Sequence, residues 1–310
     1  MVYPLIIAGG EGRRFWPLST PKKPKQFLNL CHPKKSMLSL TFDRLASVFP
    51  AENIWMVTHE SFWPLVRKQI PSLSRQRCLL EPSMKNTAAA IVWGAARILK
   101  QDKEATMVVL PADHWIKPDS FFRKDLKTAI RFVDQFPEAL VTIGIKPTYA
   151  ETGYGYLKLG AKKHVKGDLY RVLKFVEKPD LTKAKKMIQD GDCFWNSGIF
   201  VWKAKTILNE IENHLPKHFL ALNKADDKEI PPIKKTYKKL SPVSIDQGVM
   251  EKASTVYALK ASFEWSDLGS WESLSSYRKN SVKQWIPVDS KNCFIDTKNR
   301  RVATIGISDL

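Results

Sequence analysis

Glycine and cation spacing near the N-terminus marks the first place where this chain could do chemistry. An apolar run from Leu5 to Ala8 stops at Gly9-Gly10-x-Gly12, Arg13 and Arg14 follow, and Lys25 comes eleven residues after Arg14. Three glycines so close together let the backbone approach a ligand and turn its N–H groups inward. Arginine adds a planar fork suited to phosphate oxygens, and lysine adds a point charge. The pattern predicts a site for a phosphorylated ligand at the end of a buried strand. Its bland alternative is a tight turn beside a solvated basic patch. The spacing is neither G-x-x-x-x-G-K-[ST] nor G-x-G-x-x-G, which excludes a P-loop and a Rossmann dinucleotide turn.

Two carboxylates stand out further along. Leu110-Pro111-Ala112-Asp113-His114 ends an apolar strand with an acid, at the sheet edge where ligands bind. Such an acid suits Mg²⁺, which takes one or two carboxylates plus phosphate oxygens and water. It suits a cap on the next turn equally well. Glu264-Trp265-Ser266-Asp267-Leu268-Gly269-Ser270-Trp271 carries the second acid. On spacing alone Asp267 is a helix N-cap; together with Asp113 it could clamp a metal between phosphates. Glu81-Pro82-x-x-Lys85-Asn86-Thr87-Ala88 leaves another strand and opens a helix, with Asn86 as the expected cap. A helix N-terminus favours anions. His114 reads as a structural partner rather than a catalyst.

These residues need elements to hold them. Apolar runs at Leu5–Ala8, Ile54–Thr58, Arg77–Leu80, Met107–Leu110 and Leu140–Ile143 alternate with helical stretches at Ser36–Phe49, Ser61–Ile70, Asn86–Lys100 and Ser120–Gln135. That alternation predicts a parallel sheet. After Glu151 the pattern changes to antiparallel strands, Tyr154–Leu159 and Leu169–Val176, around a Lys166-Gly167-Asp168 turn. A strand at Gly198–Trp202 lies between helices, and the lysine-rich Asn213–Lys239 reads as helix on the surface. The end, FIDTKNRRVATIGISDL, reads as short strands with turns.

Composition narrows the class. The chain has 310 residues, 44% of them hydrophobic, with ten Trp and fifteen Phe, enough for one large α/β core. Mean hydropathy is −0.28 and no long apolar run occurs, which argues for a soluble protein without membrane association, and the four cysteines, far apart in sequence, point to a reducing cytoplasm. Cys31, Cys78, Cys193 and Cys293 form no CxxC pair, so neither a zinc site nor a disulfide framework is expected. The net charge of +19 comes from scattered lysine pairs rather than one basic stripe. Polyanionic substrates account for it better than nucleic acid does.

The residue 5–28 stretch is similar to the signature of the sugar-1-phosphate nucleotidyltransferases. Phe15-Trp16-Pro17-Leu18-Ser19 and Pro24-Lys25-Gln26-Phe27-Leu28 resemble the mannose-1-phosphate guanylyltransferase branch of that family. Three positions depart from the branch pattern. Arg13 replaces its usual threonine, Thr20 the arginine after the serine, and Lys85 a common arginine. The resemblance covers about residues 3 to 275 through at least six motifs in order. It implies an α/β fold, Rossmann-like (GT-A-like), with a mostly parallel mixed sheet flanked by helices. A catalytic domain over 1–285 would precede a short or truncated β-helix-like segment over 286–310.

The activity implied is transfer of GMP from GTP to mannose 1-phosphate, giving GDP-mannose and pyrophosphate, with Mg²⁺ as cofactor. Residue by residue, Arg14, Lys25, Asp113 and Asp267 would be catalytic, the two aspartates holding the metal. Ala8, Gly9, Gly10, Gly12, Arg13, Glu81, Asn86 and Thr87 would line the GTP. Three more motifs, Glu151-Thr152-Gly153-Tyr154-Gly155-Tyr156, Val176-Glu177-Lys178-Pro179 and Trp195-Asn196-Ser197-Gly198, supply the sugar side. There the Gly155 backbone, Glu177 and Asn196 would meet hydroxyls and Lys178 the phosphate. The Ser244–Lys252 segment also matches the family and reads as mostly structural. Relatives assemble through the β-helix-like tail, so a homo-oligomer is an expectation. Some carry a C-terminal cupin that isomerises mannose 6-phosphate. Only 43 residues follow Asp267 here, so that second activity is not expected. Two rivals stand beside this reading: an enzyme for another sugar 1-phosphate and nucleotide, and a non-catalytic paralogue that binds nucleotide sugars.

Overall fold

The computed structural model describes residues 1–10, 12–162, 169–223, 230–277, 282–297 and 300–310. The expected Lys166-Gly167-Asp168 turn lies outside the described residues. In chain order the first half holds β1 (Val2–Ile7), α1 (Met37–Ala46), β2 (Trp55–His59), α2 (Trp63–Gln69), β3 (Cys78–Glu81), α3 (Asn86–Gln101), β4 (Thr106–Pro111), β5 (Trp115–Lys117), α4 (Asp119–Gln135) and β6 (Leu140–Ile145). The second half adds β7 (Tyr156–Lys162), β8 (Leu169–Val176), α5 (Leu181–Gln189), β9 (Cys193–Lys203), α6 (Ala204–His214), α7 (Pro216–Leu222), α8 (Ile230–Lys239), β10 (Val256–Lys260), β11 (Glu264–Ser266), α9 (Trp271–Tyr277), β12 (Gln284–Val288) and β13 (Arg301–Ile305).

Local chemistry explains where these elements begin and which face they bury. The Ser36 hydroxyl accepts from the Ser39 N–H at 3.1 Å and starts α1. Helix α4 buries Phe122, Leu126, Ala129, Phe132 and Val133, a stripe at helical spacing. Each large apolar side chain buried in this way contributes about 2 kcal/mol. Helix α3 differs from the sequence expectation at its first turn. Asn86 has φ +65° and accepts only from the next N–H, that of Thr87, at 2.8 Å, while Lys85 takes the cap position. Asparagine tolerates that left-handed backbone better than most residues.

Nine strands form one sheet in the order β3-β2-β1-β4-β9-β6-β10-β8-β7. Strands β8 and β9 run against the others. The expected parallel set is therefore present, but β9 is inserted between β4 and β6. Both faces of β9 are buried, along CFWNSGIFVWK, as a central strand requires. Helices α1, α2 and α4 cover one face of the sheet and α3, α6, α7 and α8 the other.

A separate two-stranded ribbon matters more for chemistry. Strand β5 pairs antiparallel with β11, Ser266 opposite Trp115. Asp113 stands two residues before β5 and Asp267 directly after β11, so the ribbon draws both acids to one place. A third apolar cluster, with Phe15, Leu28, Leu30 and Leu268, packs against Trp271 and Phe294 and ties α9 and the C-terminal segment to the N-terminal loop. Strands β12 and β13 pair in parallel. Among the described residues no helix is long and apolar enough to cross a membrane.

Candidate active site

The glycine turn is laced down by one side chain from the next motif. Gln26, almost fully buried, donates from Nε2 to the carbonyls of Ala8 and Gly10, both at 3.0 Å. Thr58 on β2 donates to the same Ala8 carbonyl at 2.9 Å. Gly12 is required by space as well as by conformation. Its φ is +51°, and a Cβ there would lie 2.5 Å from the Lys25 nitrogen. The loop and Lys25 are thus packed backbone to backbone. Arg14 is exposed, its guanidinium 3.8 Å from Asp267 Oδ2. The Arg13 side chain lies outside the described residues.

Lys25 joins the two acids. Its Nζ is 2.8 Å from Asp113 Oδ2 and donates to the Asp267 carbonyl oxygen. Burial pushes the Asp113 carboxyl up, yet Lys25 and His114 outweigh it and hold the group below its usual value. Asp267 Oδ1 accepts from the Tyr154 hydroxyl at 2.6 Å and from the Gly269 N–H at 2.9 Å. The expected alternative for Asp267, capping α9, is taken by Ser270, which exchanges hydrogen bonds with Ser273. Trp265 donates from its indole to His114 Nδ1 at 3.1 Å. Burial lowers the imidazole to about 4, so His114 is neutral and structural at pH 7.

One wall beside the glycine turn is acidic and buried. Glu81, at the end of β3, accepts from the Tyr237 hydroxyl of α8, and a Cβ on Gly9 would sit 2.8 Å from Glu81 Oε2. Burial raises the Glu81 carboxyl to about 7 against the Tyr237 hydrogen bond. The surface placement expected for Asn213–Lys239 is thus corrected, because His218, Leu222 and Tyr237 within it are buried. Asn86 is exposed at the mouth of this wall. The Thr87 hydroxyl accepts from the Ile245 N–H at 2.8 Å, so it serves the join between α3 and the segment after α8.

A second cluster forms where β7, β8 and β9 meet. The Gly155 carbonyl accepts from the Asn196 N–H at 2.8 Å, and a Cβ on Gly155 would lie 2.6 Å from Glu177 Oε2. Only glycine lets Glu177 come so close. Lys178 Nζ is 3.1 Å from Glu177 Oε1. The Asn196 amide is oriented by Thr142, which donates to Oδ1 at 2.7 Å, so Nδ2 faces Asp246 Oδ1 at 2.8 Å. Glu251 accepts from the Glu177 N–H at 2.9 Å. Burial, then the Glu177 charge, raises Asp246 to about 7. The four sugar-side residues expected from sequence are brought together. Asp246 and Glu251 brace them, in keeping with the reading of Ser244–Lys252 as mostly structural.

Tyr154 connects the two clusters. It precedes Gly155, its hydroxyl reaches Asp267, and its ring packs edge-on against Trp195 and Trp265, with centroids 5.2 Å away in both cases. Gln26, Tyr154, Tyr237 and Asp246 were not singled out from the sequence. Gln26, Tyr154 and Asp246 lie inside the family-like motifs and signal themselves only by that position.

The geometry sets a glycine turn, two cations and two acids together beyond the strand ends. The family model described as Nucleotidyl transferase matches residues 3–284, and the chain belongs to that family. Among its relatives, a mannose-1-phosphate guanylyltransferase of Klebsiella pneumoniae is 34% identical over 328 residues, covering 100% of this chain and 68% of the relative. Another, from Salmonella typhimurium, is 35% identical over 325 residues, covering 99% and 66%. The chain thus spans about two thirds of the length of these curated relatives. A crystal structure from Thermus thermophilus, described as a mannose-1-phosphate geranyltransferase, superposes with a TM-score of 0.87 at 34% identity over 99% of this chain and 90% of that one. The family resemblance and the fold class read from the sequence are borne out.

Proposed function

We propose that this enzyme transfers GMP from GTP to mannose 1-phosphate, releasing pyrophosphate and forming GDP-mannose. The observation that carries the reading is the Tyr154–Asp267 hydrogen bond, which joins the cluster around the glycine turn and Lys25 to the cluster of Gly155, Glu177 and Asn196. An oxygen of the sugar phosphate attacks the α-phosphorus in line. The bond to the β-phosphate oxygen breaks, and pyrophosphate leaves with the electron pair. The nucleophile is already an anion, so no general base is needed, and neutral His114 suits that. Positioning and charge supply the rate. Arg14 and Lys25 neutralise the triphosphate and the departing pyrophosphate. The N–H groups from Ala8 to Gly12, with Arg13, line the phosphates, and Asn86 and Thr87 stand at the edge of the nucleotide. Gly155, Glu177 and Asn196 meet the sugar hydroxyls, and Lys178 meets the sugar phosphate.

Asp113 and Asp267 fit a divalent cation by their chemistry. They are two hard carboxylates from separate segments, each partly exposed, which leaves positions for phosphate oxygens and water. Mg²⁺ held there would supply charge neutralisation at the phosphate oxygens. Glu81 is the group suited to read the base. Guanine presents N1–H and a 2-amino group as donors, and an ionised carboxylate accepts only. We place the catalytic domain over residues 1–285 and read 286–310 as a separate β-helix-like segment.

Pyrophosphate release from four nucleoside triphosphates, each with mannose 1-phosphate or glucose 1-phosphate, tests the reading. Release confined to GTP with mannose 1-phosphate is expected. Release with another pair moves the specificity and keeps the mechanism. Saturable nucleotide binding with no release from any pair would favour the non-catalytic paralogue.

A further inference from the structure

The two oxygens of Glu81 have different surroundings. Oε1 accepts from the Tyr237 hydroxyl, and Oε2 lies against Gly9 on the nucleotide turn. Tyr237 comes from α8, 156 residues further along the chain. Its ring packs on Trp93 of α3 with centroids 5.7 Å apart. Lys234 of the same helix pairs with Glu60 at 2.7 Å and fixes α8 against the start of α2. The tyrosine is therefore held from two sides, and its hydroxyl meets the carboxylate as a donor.

That arrangement bears on base selection. A carboxylate that is ionised and cannot rotate accepts from N1–H and the 2-amino group of guanine. A protonated carboxyl, or one free to turn, also offers a donor, and the distinction from a base with acceptors on that edge fades. We propose that Tyr237 is a positioning residue for guanine selection, favouring the ionised form of Glu81 and fixing Oε2, the oxygen beside Gly9, for the base. This rests on the reading of Glu81 as the base-reading group.

The electrostatic surroundings of Glu81 are simple. Burial dominates and raises its carboxyl to about 7, and the Tyr237 hydrogen bond opposes that. His59 stands opposite Glu81 in the β2–β3 register, with Nδ1 engaged by Ser61 at 2.8 Å. Lys234 is engaged by Glu60, and Lys85 lies four residues further along the chain. Loss of the tyrosine hydroxyl removes the donor that favours the ionised form, so the carboxyl binds its proton more tightly.

The test compares wild type and Tyr237→Phe in steady-state kinetics from pH 6.5 to 9, with GTP, ITP and ATP at saturating mannose 1-phosphate. ITP lacks only the 2-amino group of GTP. At pH 7 the variant should lose roughly tenfold in kcat/KM for GTP, the scale of one hydrogen bond to a charged group. The loss should fall mainly on the KM for GTP, shrink toward pH 9, and narrow the preference for GTP over ITP, with the KM for mannose 1-phosphate unchanged. In a Glu81→Gln background, whose amide does not titrate, adding Tyr237→Phe should cause no further loss of base preference. An unchanged GTP-to-ITP ratio in a Tyr237→Phe variant of normal melting temperature would overturn the inference. So would an equal, pH-independent loss with all three nucleotides. A wild type that does not prefer GTP at all would instead bring down the base-reading role of Glu81 itself.

Discussion

The proposed nucleotide side and the proposed sugar side of the site are built by different means. The nucleotide side hangs on the ends of parallel strands β1, β3 and β4, and most of its groups sit on short contiguous turns, Ala8 to Arg14, Glu81 to Thr87, and Asp113. The proposed sugar side is gathered from antiparallel strands and a distant π-helical segment: Gly155 before β7, Glu177 after β8, Asn196 within β9, and Asp246 fifty residues beyond Asn196. Parallel strands deliver ligand-binding turns at one edge by topology alone. Antiparallel pairing has to bring each polar group there separately, and it does so here through an ordered hydrogen-bond chain, Thr142 to Asn196 to Asp246. The lesson is that one side is specified locally and the other by long-range register.

The seam between the sides should be the most sensitive place. Asp267→Asn keeps the shape and removes the charge at the point where Tyr154, Arg14 and Lys25 converge. Turnover should fall roughly a thousandfold with the melting temperature retained; near-normal turnover in a pyrophosphate assay would remove Asp267 from the mechanism. On the nucleotide side, Lys25→Met should cost roughly a hundredfold in kcat/KM for GTP. If the KM for mannose 1-phosphate carries that loss instead, the division into two sides is wrong at Lys25. On the sugar side, Gly155→Ala drives a Cβ to 2.6 Å from Glu177 Oε2. Displacing that carboxylate should raise the KM for mannose 1-phosphate roughly tenfold or more while that for GTP stays fixed. Equal changes in both would show that the sides are coupled.

The smallest effect is a pH dependence of stability on the sugar side. Asp246 is raised from 3.8 to about 7 by burial and by Glu177. Between those values the folded chain holds a proton that the unfolded chain has released. The stability contribution is therefore present at low pH and is lost as pH rises through about 7. Asp246→Asn abolishes that titration, so its melting temperature relative to wild type should improve between pH 4 and pH 8, by about 2 °C after solvent screening. A difference that stays flat across this range would mean that Asp246 ionises as a solvated acid does.

Legibility followed the same division. The strand, glycine turn and cations at residues 5–28 could be read directly, because a tight turn forces its residue types into adjacent positions. Asp113 was legible as a strand-end acid, but spacing alone left it divided between cap and metal ligand. Asp267 was drawn the wrong way by spacing, since Ser270 is an equally good cap and lies only three residues away. Asn86 was assigned a capping role that its left-handed backbone does not allow. Tyr237 could not be found at all. Within a lysine-rich stretch one aromatic has no periodic signal, and its burial depends on Trp93 and Glu81 from elements far away in sequence.

By itself, then, the sequence determined the alternating α/β order, the buried strands, the anion-binding turn and the kinds of group that a phosphoryl-transfer cleft needs. Those depend on hydrophobic period and local backbone preference, which act within a few residues. The tertiary structure alone decided that β9 enters between β4 and β6, that a β5–β11 ribbon sets Asp267 beside Asp113, and that Asp246 meets Asn196 and Tyr237 meets Glu81. Each of these is a choice among strand partners and packing surfaces far apart in sequence, fixed by which apolar faces can be buried together rather than by any residue's own propensity.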